Sequence, residues 1–422
     1  KRDYVFMKIA IIGSGISGLT SAYLLSKHHE IKVFEANDYI GGHTHTHTIN
    51  MDGVDYEVDS GFIVYNENTY PNFIRLLGEL NVETQISSMG FSVTSKNNKI
   101  EYAGNSLNSV FAQRKNIFKP SFYKMLYEIN RFNKESKTHL QNLDYLKTLG
   151  DYLDKYGYSS EFIHHYIVPM GAAIWSTIPS NMLKMPAKFF IKFFKNHGLL
   201  KIKNRPKWWV IKGGSRQYIK RIIANYKDSI FISTPIKSVV RSEDKVELVF
   251  QDSNRQNEVF DKVIFATHSD QALNILKKPT IEEKKILGSL PYQKNEALIH
   301  TDESILPKRK LAWASWNYSL DSNFNNPVAL TYNMNILQSL NCEKTFCVTL
   351  NNHSLINPNK VIKKVTYSHP LFTAAGIKAQ REKHKISGKN NTYFCGAYWR
   401  NGFHEDGVVS AIDVANQFGV EF

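Results

Sequence analysis

The chain has 422 residues, and its 53 basic and 38 acidic side chains give a net charge of +15 at neutral pH. This length predicts two or three domains. Three cysteines without a CxxC pair argue against a disulfide framework or a metal cluster, and no apolar run reaches the roughly 20 residues of a membrane-spanning helix. Residues 1–6 lack the apolar core of a signal peptide, so we expect a cytoplasmic protein.

The first predicted element is a strand rich in Ile that ends in three spaced glycines. Gly13, Gly15 and Gly18 follow the pattern G-x-G-x-x-G. In this fingerprint the glycines permit a sharp turn, the approach of a pyrophosphate and close packing of the next helix. A second apolar run, residues 31–34, leads to Glu35, an acid placed to accept hydrogen bonds from an adenosine ribose. The sequence therefore predicts a Rossmann-like dinucleotide site.

Two further glycine-containing segments follow closely. Gly41 and Gly42 precede His43, and Gly61 precedes Phe62 a short distance later. Paired glycines allow a second loop to approach the diphosphate and the far end of the nucleotide. This arrangement favours FAD over NAD as the bound nucleotide.

The middle of the chain reads as a second structural unit. Residues 91–103 alternate around Asn97 and Asn98, which predicts a β-hairpin, and residues 105–198 are mostly helical in pattern. Residues 262–267 form another apolar run that ends in small residues. A second G-x-G-x-x-G pattern is absent, so we expect no domain for NAD(P)H.

A basic and aromatic segment occupies residues 183–209. At 100° per residue its lysines and phenylalanines fall on opposite helix faces. These residues are Lys188, Lys192 and Lys195, and Phe189, Phe190, Phe193 and Phe194. Two interpretations stay open: the helix lies in a bilayer interface, which would place the protein peripherally at the inner membrane, or the phenylalanines pack into the core. The basic residues within 113–137 read as an ordinary surface.

The last predicted elements are a strand ending near Gly396 and a helix beginning near Asp406 and Gly407. The N-terminus of that helix is suited to face a cofactor oxygen. His404 and Glu405 precede it directly. A simple helix cap made by Asp406 is the competing interpretation.

Taken with these motifs, the chain resembles flavoproteins of the amine oxidase and phytoene desaturase superfamily. It is most similar to a bacterial branch described as predicted NAD/FAD-binding proteins or FAD-dependent oxidoreductases. The motifs that carry the resemblance are residues 41–46, 59–66, Trp175, and residues 212–218, 266–272, 312–318 and 402–407.

The resemblance implies FAD as the cofactor. Its predicted binding residues are Gly13, Ser14, Gly15, Ile16, Ser17, Gly18, Glu35, Ala36, Gly41, Gly42, His43, Gly61, Phe62, Val239, Ala266, Gly396, Asp406, Gly407 and Val408. No cysteine lies within residues 396–407, so we expect non-covalent FAD and no metal. Two departures argue against amine oxidation itself: His43 stands where these enzymes usually carry Arg, and their active-site Lys has no counterpart near residues 298–300.

The resulting fold class is α/β, with a discontinuous Rossmann-like FAD-binding domain of the glutathione-reductase type and a mixed α+β substrate domain. The first is expected to comprise residues 7–85, 206–285 and 388–422. The second is expected to comprise residues 86–205 and 286–387, including the helical insertion.

The predicted function is that of an FAD-dependent oxidoreductase acting on a small hydrophobic substrate such as a lipid acyl chain. The reaction would be desaturation or hydride-mediated isomerisation of an acyl or isoprenoid chain, with His404, Glu405 and His43 as candidate catalytic residues. Two alternatives stay open. One is an amine or amino-acid oxidase in which Arg216 or Arg400 binds a carboxylate, and the other is a flavin-binding scaffold or redox sensor without turnover. No nucleic-acid-binding module is recognisable.

Overall fold

A five-stranded parallel sheet forms the base of the nucleotide-binding part in this computed structural model, which describes residues 5–95, 99–201 and 205–422. In spatial order its strands are Ile230–Phe231, Glu30–Phe34, Lys8–Ile12, Lys262–Phe265 and Thr392–Phe394. Every neighbouring pair is parallel. These strands come from all three segments that the sequence assigned to the FAD-binding domain; the exact domain boundaries stay a prediction.

The central strand Lys8–Ile12 is buried because helices cover the sheet. The helix Ile16–Leu25 packs against the C-terminal helix His404–Gln417, and the Ser17 hydroxyl donates to the carbonyl of Gly407 over 3.1 Å. The last helix is thereby held against the first turn of the chain.

A seven-stranded sheet forms the base of the second part. Its strands, in spatial order, are Val361–Pro370, Tyr292–His300, Cys347–Leu350, Leu330–Asn333, Trp316–Leu320, Phe91–Ser95 and Glu101–Ala103. One pair, Trp316–Leu320 with Phe91–Ser95, is parallel, and the other pairs are antiparallel. The edge strand Val361–Pro370 was not predicted from the sequence, because its consecutive lysines obscure the two-residue alternation of a strand.

The predicted hairpin within residues 91–103 is confirmed by the antiparallel pairing of Phe91–Ser95 with Glu101–Ala103. Its expected turn at Asn97 and Asn98 lies outside the described residues. The remaining strands form three small sheets. These are Thr46–Met51 with Val54–Asp59; Val64–Asn66, Trp208–Ile211 and Thr84–Ser87; and Ile236–Arg241, Val246–Phe250 and Glu258–Phe260.

The helical character predicted for residues 105–198 is confirmed. The helices of this insertion are Leu107–Val110, Pro120–His139, Leu149–Lys155, Ser160–Phe162, Val168–Trp175, Pro179–Lys184 and Ala187–Asn196. The other helices are Pro71–Glu79, Arg216–Ile222, Ser269–Ile275, Ile281–Gly288, Met334–Leu337 and Ala374–Arg381. Within the described parts of the chain, no helix combines the length and the apolar character needed to cross a bilayer.

The helix Ala187–Asn196 settles the two interpretations of the basic aromatic segment. Its four phenylalanines, Phe189, Phe190, Phe193 and Phe194, are all buried. Phe190 and Phe194 stack on each other at 4.2 Å between ring centroids, and Trp175 packs against Phe193 at 4.7 Å. The core-packing interpretation is confirmed. The proposed contact of this helix with a membrane is wrong, because its apolar face is already covered by the protein's own core.

A Phe190→Ala variant is therefore expected to lose about 3–5 kcal/mol of unfolding free energy, because a fully buried aromatic ring is removed and a cavity remains. Lys192→Ala, an exposed change two residues further along the same helix, should alter it by less than about 0.5 kcal/mol. Urea unfolding of both variants tests this. Equal stabilities would contradict the packing described here.

Candidate functional site

The glycine turn after the first strand forms a cradle with one open side. A Cβ placed on Gly18 would lie 2.0 Å from the carbonyl oxygen of Gly13, so only glycine allows the helix to approach the turn. A Cβ placed on Gly15 would meet nothing within 4 Å. This open side lies beside Ile16 at the start of the helix Ile16–Leu25, where unpaired N–H groups favour an anion. The cradle therefore fits the pyrophosphate of FAD.

Glu35 is positioned as the fingerprint requires. Its carboxylate accepts hydrogen bonds from the backbone and the hydroxyl of Ser14, at 2.9 and 2.7 Å, and from the backbone of Asn37 at 2.8 Å. A carboxylate can accept about four hydrogen bonds, so one acceptor position is left for a ribose hydroxyl. Ala36, directly after it, is exposed.

The second glycine loop lies against the first. A Cβ on Gly42 would lie 3.1 Å from the Cα of Gly15, and the Gly41 N–H donates to the Ser14 hydroxyl over 3.3 Å. Gly61 continues this surface, because a Cβ there would be 2.1 Å from the His43 carbonyl. The three segments predicted to hold the diphosphate are thus brought together.

Three more predicted cofactor residues lie in or just after the elements of the nucleotide-binding part: Ala266, Gly396 and Val408. The Ala266 N–H donates to the carbonyl of Ile12 over 2.9 Å, and the Gly396 N–H donates to the Ser410 hydroxyl over 3.0 Å. Val408 is buried in the same core cluster as Ile16. Val239 lies in a different cluster, where its carbonyl accepts from the Lys277 N–H over 3.0 Å. Contact of Val239 with an adenine ring stays a prediction.

His404 is held in a buried polar triangle. Its Nε2 lies 3.0 Å from the Thr44 hydroxyl and 2.9 Å from the Tyr218 hydroxyl, which also bond to each other. The Phe62 ring stacks on the imidazole at 3.6 Å between centroids. Burial lowers the pKa of His404 well below its ordinary value, so the ring is neutral. Nε2 is occupied by protein partners, which makes His404 a fixed neutral group beside the predicted cofactor loops.

The carboxylates of Glu405 and Asp406 both accept hydrogen bonds from backbone N–H groups at the N-terminus of a helix. The Glu405 carboxylate accepts from the backbone N–H groups of Asn72 and Phe73, at 3.1 and 2.8 Å, at the start of the helix Pro71–Glu79. Asp406 accepts from the Phe403 N–H over 3.0 Å. The helix begins at His404, two residues before the predicted start, so Asp406 is not its N-cap residue but the third residue of its first turn. Burial raises the pKa of Asp406 to about 7. The engagement of Glu405 favours a structural role over the catalytic role predicted from the sequence.

A Glu405→Ala variant should accordingly lose about 1–3 kcal/mol of unfolding free energy, because buried backbone donors lose their acceptor. Glu405→Gln keeps one acceptor oxygen and should lose less. Thermal unfolding of the two variants measures the difference. An unchanged melting temperature in Glu405→Ala, combined with slower flavin reduction, would instead support catalysis.

A cluster of uncharged rings adjoins the paired-glycine loop. The His43 ring lies 5.0 Å from Tyr367, 5.4 Å from His369 and 6.2 Å from His268, between ring centroids, and Tyr292 stacks on His268 at 4.5 Å. We call these five residues the histidine cluster. Burial lowers the pKa of His43 and His268 to about 4 and that of His369 to about 3. The imidazoles are therefore neutral at pH 7.

His45 and His47 border this cluster, and the Nδ1 of His45 lies 3.4 Å from the Tyr367 hydroxyl. His45 stacks on Tyr39 at 3.9 Å, and the Nε2 of His47 lies 2.8 Å from the Ser60 hydroxyl. With Arg216 they line a cavity of about 400 Å³. Arg216 pairs with Glu57 at 2.6 Å, so the sequence-based suggestion that Arg216 binds a substrate carboxylate would require this ion pair to open.

Several site residues were not identified from the sequence. They are Thr44, Tyr218, His268, Tyr292, Tyr367, His369 and Asp59. Asp59 is fully buried and accepts from the hydroxyls of Thr46 and Ser215 and from the backbone N–H of Ser215. None of them has an individual role predicted from the sequence, although four lie in the motifs that carry the family resemblance: Thr44, Asp59, Tyr218 and His268.

Comparison with known proteins agrees with this geometry. The sequence model of the flavin-containing amine oxidoreductases matches residues 16–317. Flavin-containing amine oxidase A of Canis lupus familiaris is 24% identical over 254 residues, an alignment that covers 56% of this chain and 45% of that protein. The chain thus aligns with about half the length of this curated relative.

Solved structures share the fold over nearly the whole chain. A fatty acid isomerase from P. acnes that produces CLA superposes with a TM-score of 0.69 at 15% identity and covers 100% of both chains. A putrescine oxidase bound to putrescine superposes with a TM-score of 0.67 at 15% identity, covering 98% of this chain and 99% of its own. The predicted α/β fold is confirmed. The chain belongs to the family of flavin-containing amine oxidoreductases, which are FAD-dependent enzymes, and FAD is its cofactor.

Proposed function

We propose that this protein oxidises or isomerises an uncharged, lipophilic substrate, by desaturation or hydride-mediated isomerisation of an acyl or isoprenoid chain. The observation that carries the proposal is the histidine cluster next to the Gly41 and Gly42 loop. Its rings are neutral, and no carboxylate contributes to the pKa shifts of its three imidazoles. Such a surface provides no counter-charge for an ammonium group.

The strand Tyr292–His300 supports the same choice. Its one lysine, Lys294, is exposed, whereas Asn295 is buried. The Asn295 amide donates to Nδ1 of His369 over 2.9 Å and to the Ser176 carbonyl over 2.7 Å. Asn295 on this strand and His369 on the neighbouring strand Val361–Pro370 therefore form a neutral amide–imidazole pair, and the one lysine of the strand Tyr292–His300 lies at the surface.

FAD supplies a hydride acceptor when it is bound. The protein's own residues hold and shield the reacting groups. Thr44 and Tyr218 fix the His404 ring, and Phe62 covers one face of it. Such fixed, uncharged surroundings would orient an apolar chain toward the cofactor.

The fold alone does not select the substrate. The structural relatives include a fatty acid isomerase and a putrescine oxidase, so both lipid and amine chemistry occur on this architecture. The choice rests on the side chains around the cofactor loops.

A soluble amine or amino acid is the second candidate, and one specific observation favours it. A cavity of about 450 Å³ adjoins the start of the C-terminal helix and is lined by Arg400, Glu405, Asp406 and Phe403, among others. Arg400 is exposed and could pair with a carboxylate there.

Anaerobic incubation of the FAD-loaded protein with two substrate panels tests the proposal. The lipid panel contains unsaturated fatty acids and isoprenoids, and the second panel contains amines and amino acids. Flavin bleaching or a shifted double bond, detected by mass spectrometry of the products, is expected with the lipid panel only. Bleaching by amines alone would establish the second candidate, and no turnover with either panel would favour a flavin-binding scaffold.

A further inference from the structure

A group of apolar side chains is exposed on the helical insertion and on the turn beside it. Phe118 is 84% exposed and Leu107 is 80% exposed, values at which a side chain gains little from its own fold. Four more apolar or aromatic residues around them are also exposed. We call the whole group the Leu107 patch; its members are Leu107, Ile117, Phe118, Tyr123, Tyr127 and Leu311.

The members come from four segments, the first of which is the helix Leu107–Val110. The second, the turn Arg114–Phe118, carries Ile117 and Phe118 and leads directly into the helix Pro120–His139. The short helix Leu107–Val110 lies against the turn Lys310–Ala312, which carries Leu311. The Phe111 ring lies 5.9 Å from the Tyr123 ring, and this contact joins the first segment to the helix Pro120–His139. Tyr127 follows Tyr123 by four residues and so lies on the same face of that helix.

Basic residues surround the patch. Residues 102–127 contain no Asp or Glu but include Arg114, Lys115, Lys119 and Lys124. Lys308, Arg309 and Lys310 adjoin it in the neighbouring turn.

One of the two acids that flank the segment offsets part of this charge. Glu101 is buried, accepts the backbone N–H groups of Lys308 and Arg309, each over 3.1 Å, and pairs with the Arg309 guanidinium at 3.2 Å, so the lysines and Arg114 carry the positive charge of the patch. Glu128 is also buried, where it accepts from Ser159. The exposed surface here is apolar and cationic.

We propose that the Leu107 patch docks the protein on an anionic lipid membrane. At the interface of a membrane, the exposed apolar side chains can leave water and insert among the lipid acyl chains. The basic residues around them can contact the phosphates of the lipid headgroups. The positive charge alone would also suit RNA. However, three of the six members, Leu107, Ile117 and Leu311, are aliphatic and cannot stack on bases, so the patch fits lipid better than RNA. This surface is distinct from the buried phenylalanines of Ala187–Asn196.

Flotation of the FAD-loaded protein with vesicles tests the proposal. One set contains phosphatidylcholine alone, and the other also contains phosphatidylglycerol. The protein should float with the anionic set, less so as salt rises. A Leu107→Glu, Phe118→Glu double variant should bind about tenfold more weakly or worse. An unchanged flavin spectrum would show that this variant is folded.

Val54→Glu is the matched control. Val54 is 51% exposed, but Asp52 and Asp55 flank it in the chain, so it lacks the basic neighbours of the Leu107 patch. This variant should bind vesicles as the wild type does. Failure of the wild type to bind anionic vesicles at low salt would overturn the proposal, as would full binding by the double variant. Binding of poly(U) RNA without vesicle binding, lost on Lys124→Glu and Lys310→Glu, would reassign the surface to nucleic acid.

Discussion

A Gly15→Leu variant is expected to fold and to lose FAD. A side chain at this position meets no protein atom within 4 Å of its Cβ, so the fold should tolerate it. The same side chain would occupy the space where the backbone must approach the pyrophosphate. We expect the affinity for FAD to fall about 100-fold or more, because the anion is separated from the N–H groups of the helix Ile16–Leu25. Titration of the apoprotein with FAD, followed by flavin fluorescence, measures the change.

Two other glycines provide the controls. Gly78 is exposed on the helix Pro71–Glu79 and also has nothing within 4 Å of an added Cβ, so Gly78→Leu should retain FAD. Gly18→Ala should instead destabilise the apoprotein, because its methyl group would lie 2.0 Å from the Gly13 carbonyl. Full retention of FAD by Gly15→Leu would refute the assignment of the cradle.

Acidification is expected to destabilise the protein through its histidine cluster. The pKa of His369 is lowered from an ordinary 6.5 to about 3 by burial and by His43, so the folded state resists protonation. Such a group stabilises the fold above pH 6.5, and this stabilisation is lost as the pH falls toward the folded pKa. Between pH 6.5 and pH 4 the loss for His369 amounts to about 3 kcal/mol.

Two buried acids act in the opposite direction. Burial raises the pKa of Asp59 to about 6 and that of Asp406 to about 7, so each favours the fold more as it becomes protonated. Asp59 and Asp406 are present in both the wild type and a His369→Gln variant, so their contribution to the pH dependence of stability cancels when the two proteins are compared. His369→Gln should therefore lose less stability than the wild type between pH 6.5 and pH 4, by about 3 kcal/mol.

Melting temperatures of the apoprotein across this pH range provide the measurement. His384→Gln, a change at an exposed position, should follow the wild-type curve. Parallel curves for wild type and His369→Gln would contradict a neutral His369 with a lowered pKa.

The cofactor cradle was predictable because its information is local. Gly13, Gly15 and Gly18 specify backbone geometry within six residues, and Glu35 follows one strand later. The helix Pro71–Glu79 likewise begins at a proline, a residue that is favoured in the first turn of a helix. Each of these features is determined by interactions between close neighbours in the chain.

The histidine cluster was not predictable in the same way. His43, His268 and His369 are separated by more than 100 residues at each step, and His369 lies on an edge strand whose lysines hid its pattern. Their neutral state depends on burial, which sequence spacing does not describe.

The helix Ala187–Asn196 shows that hydrophobic periodicity predicts an apolar helix face but not what covers that face. The pattern identified its apolar face correctly, but a membrane and a protein core both accept the same phenylalanines. Contacts with Trp175 and Phe372 decided in favour of the core.

By itself, the sequence determined the nucleotide-binding turn, because short-range backbone requirements encode it. The choice of FAD followed from the paired glycines after Glu35 and from the family resemblance of motifs along the chain. The tertiary structure alone decided that Glu405 caps the helix Pro71–Glu79, that His404 is held by Thr44 and Tyr218, and which apolar surface stays exposed. Those outcomes depend on side chains from distant segments meeting in space, where desolvation and hydrogen bonding set the role of each residue.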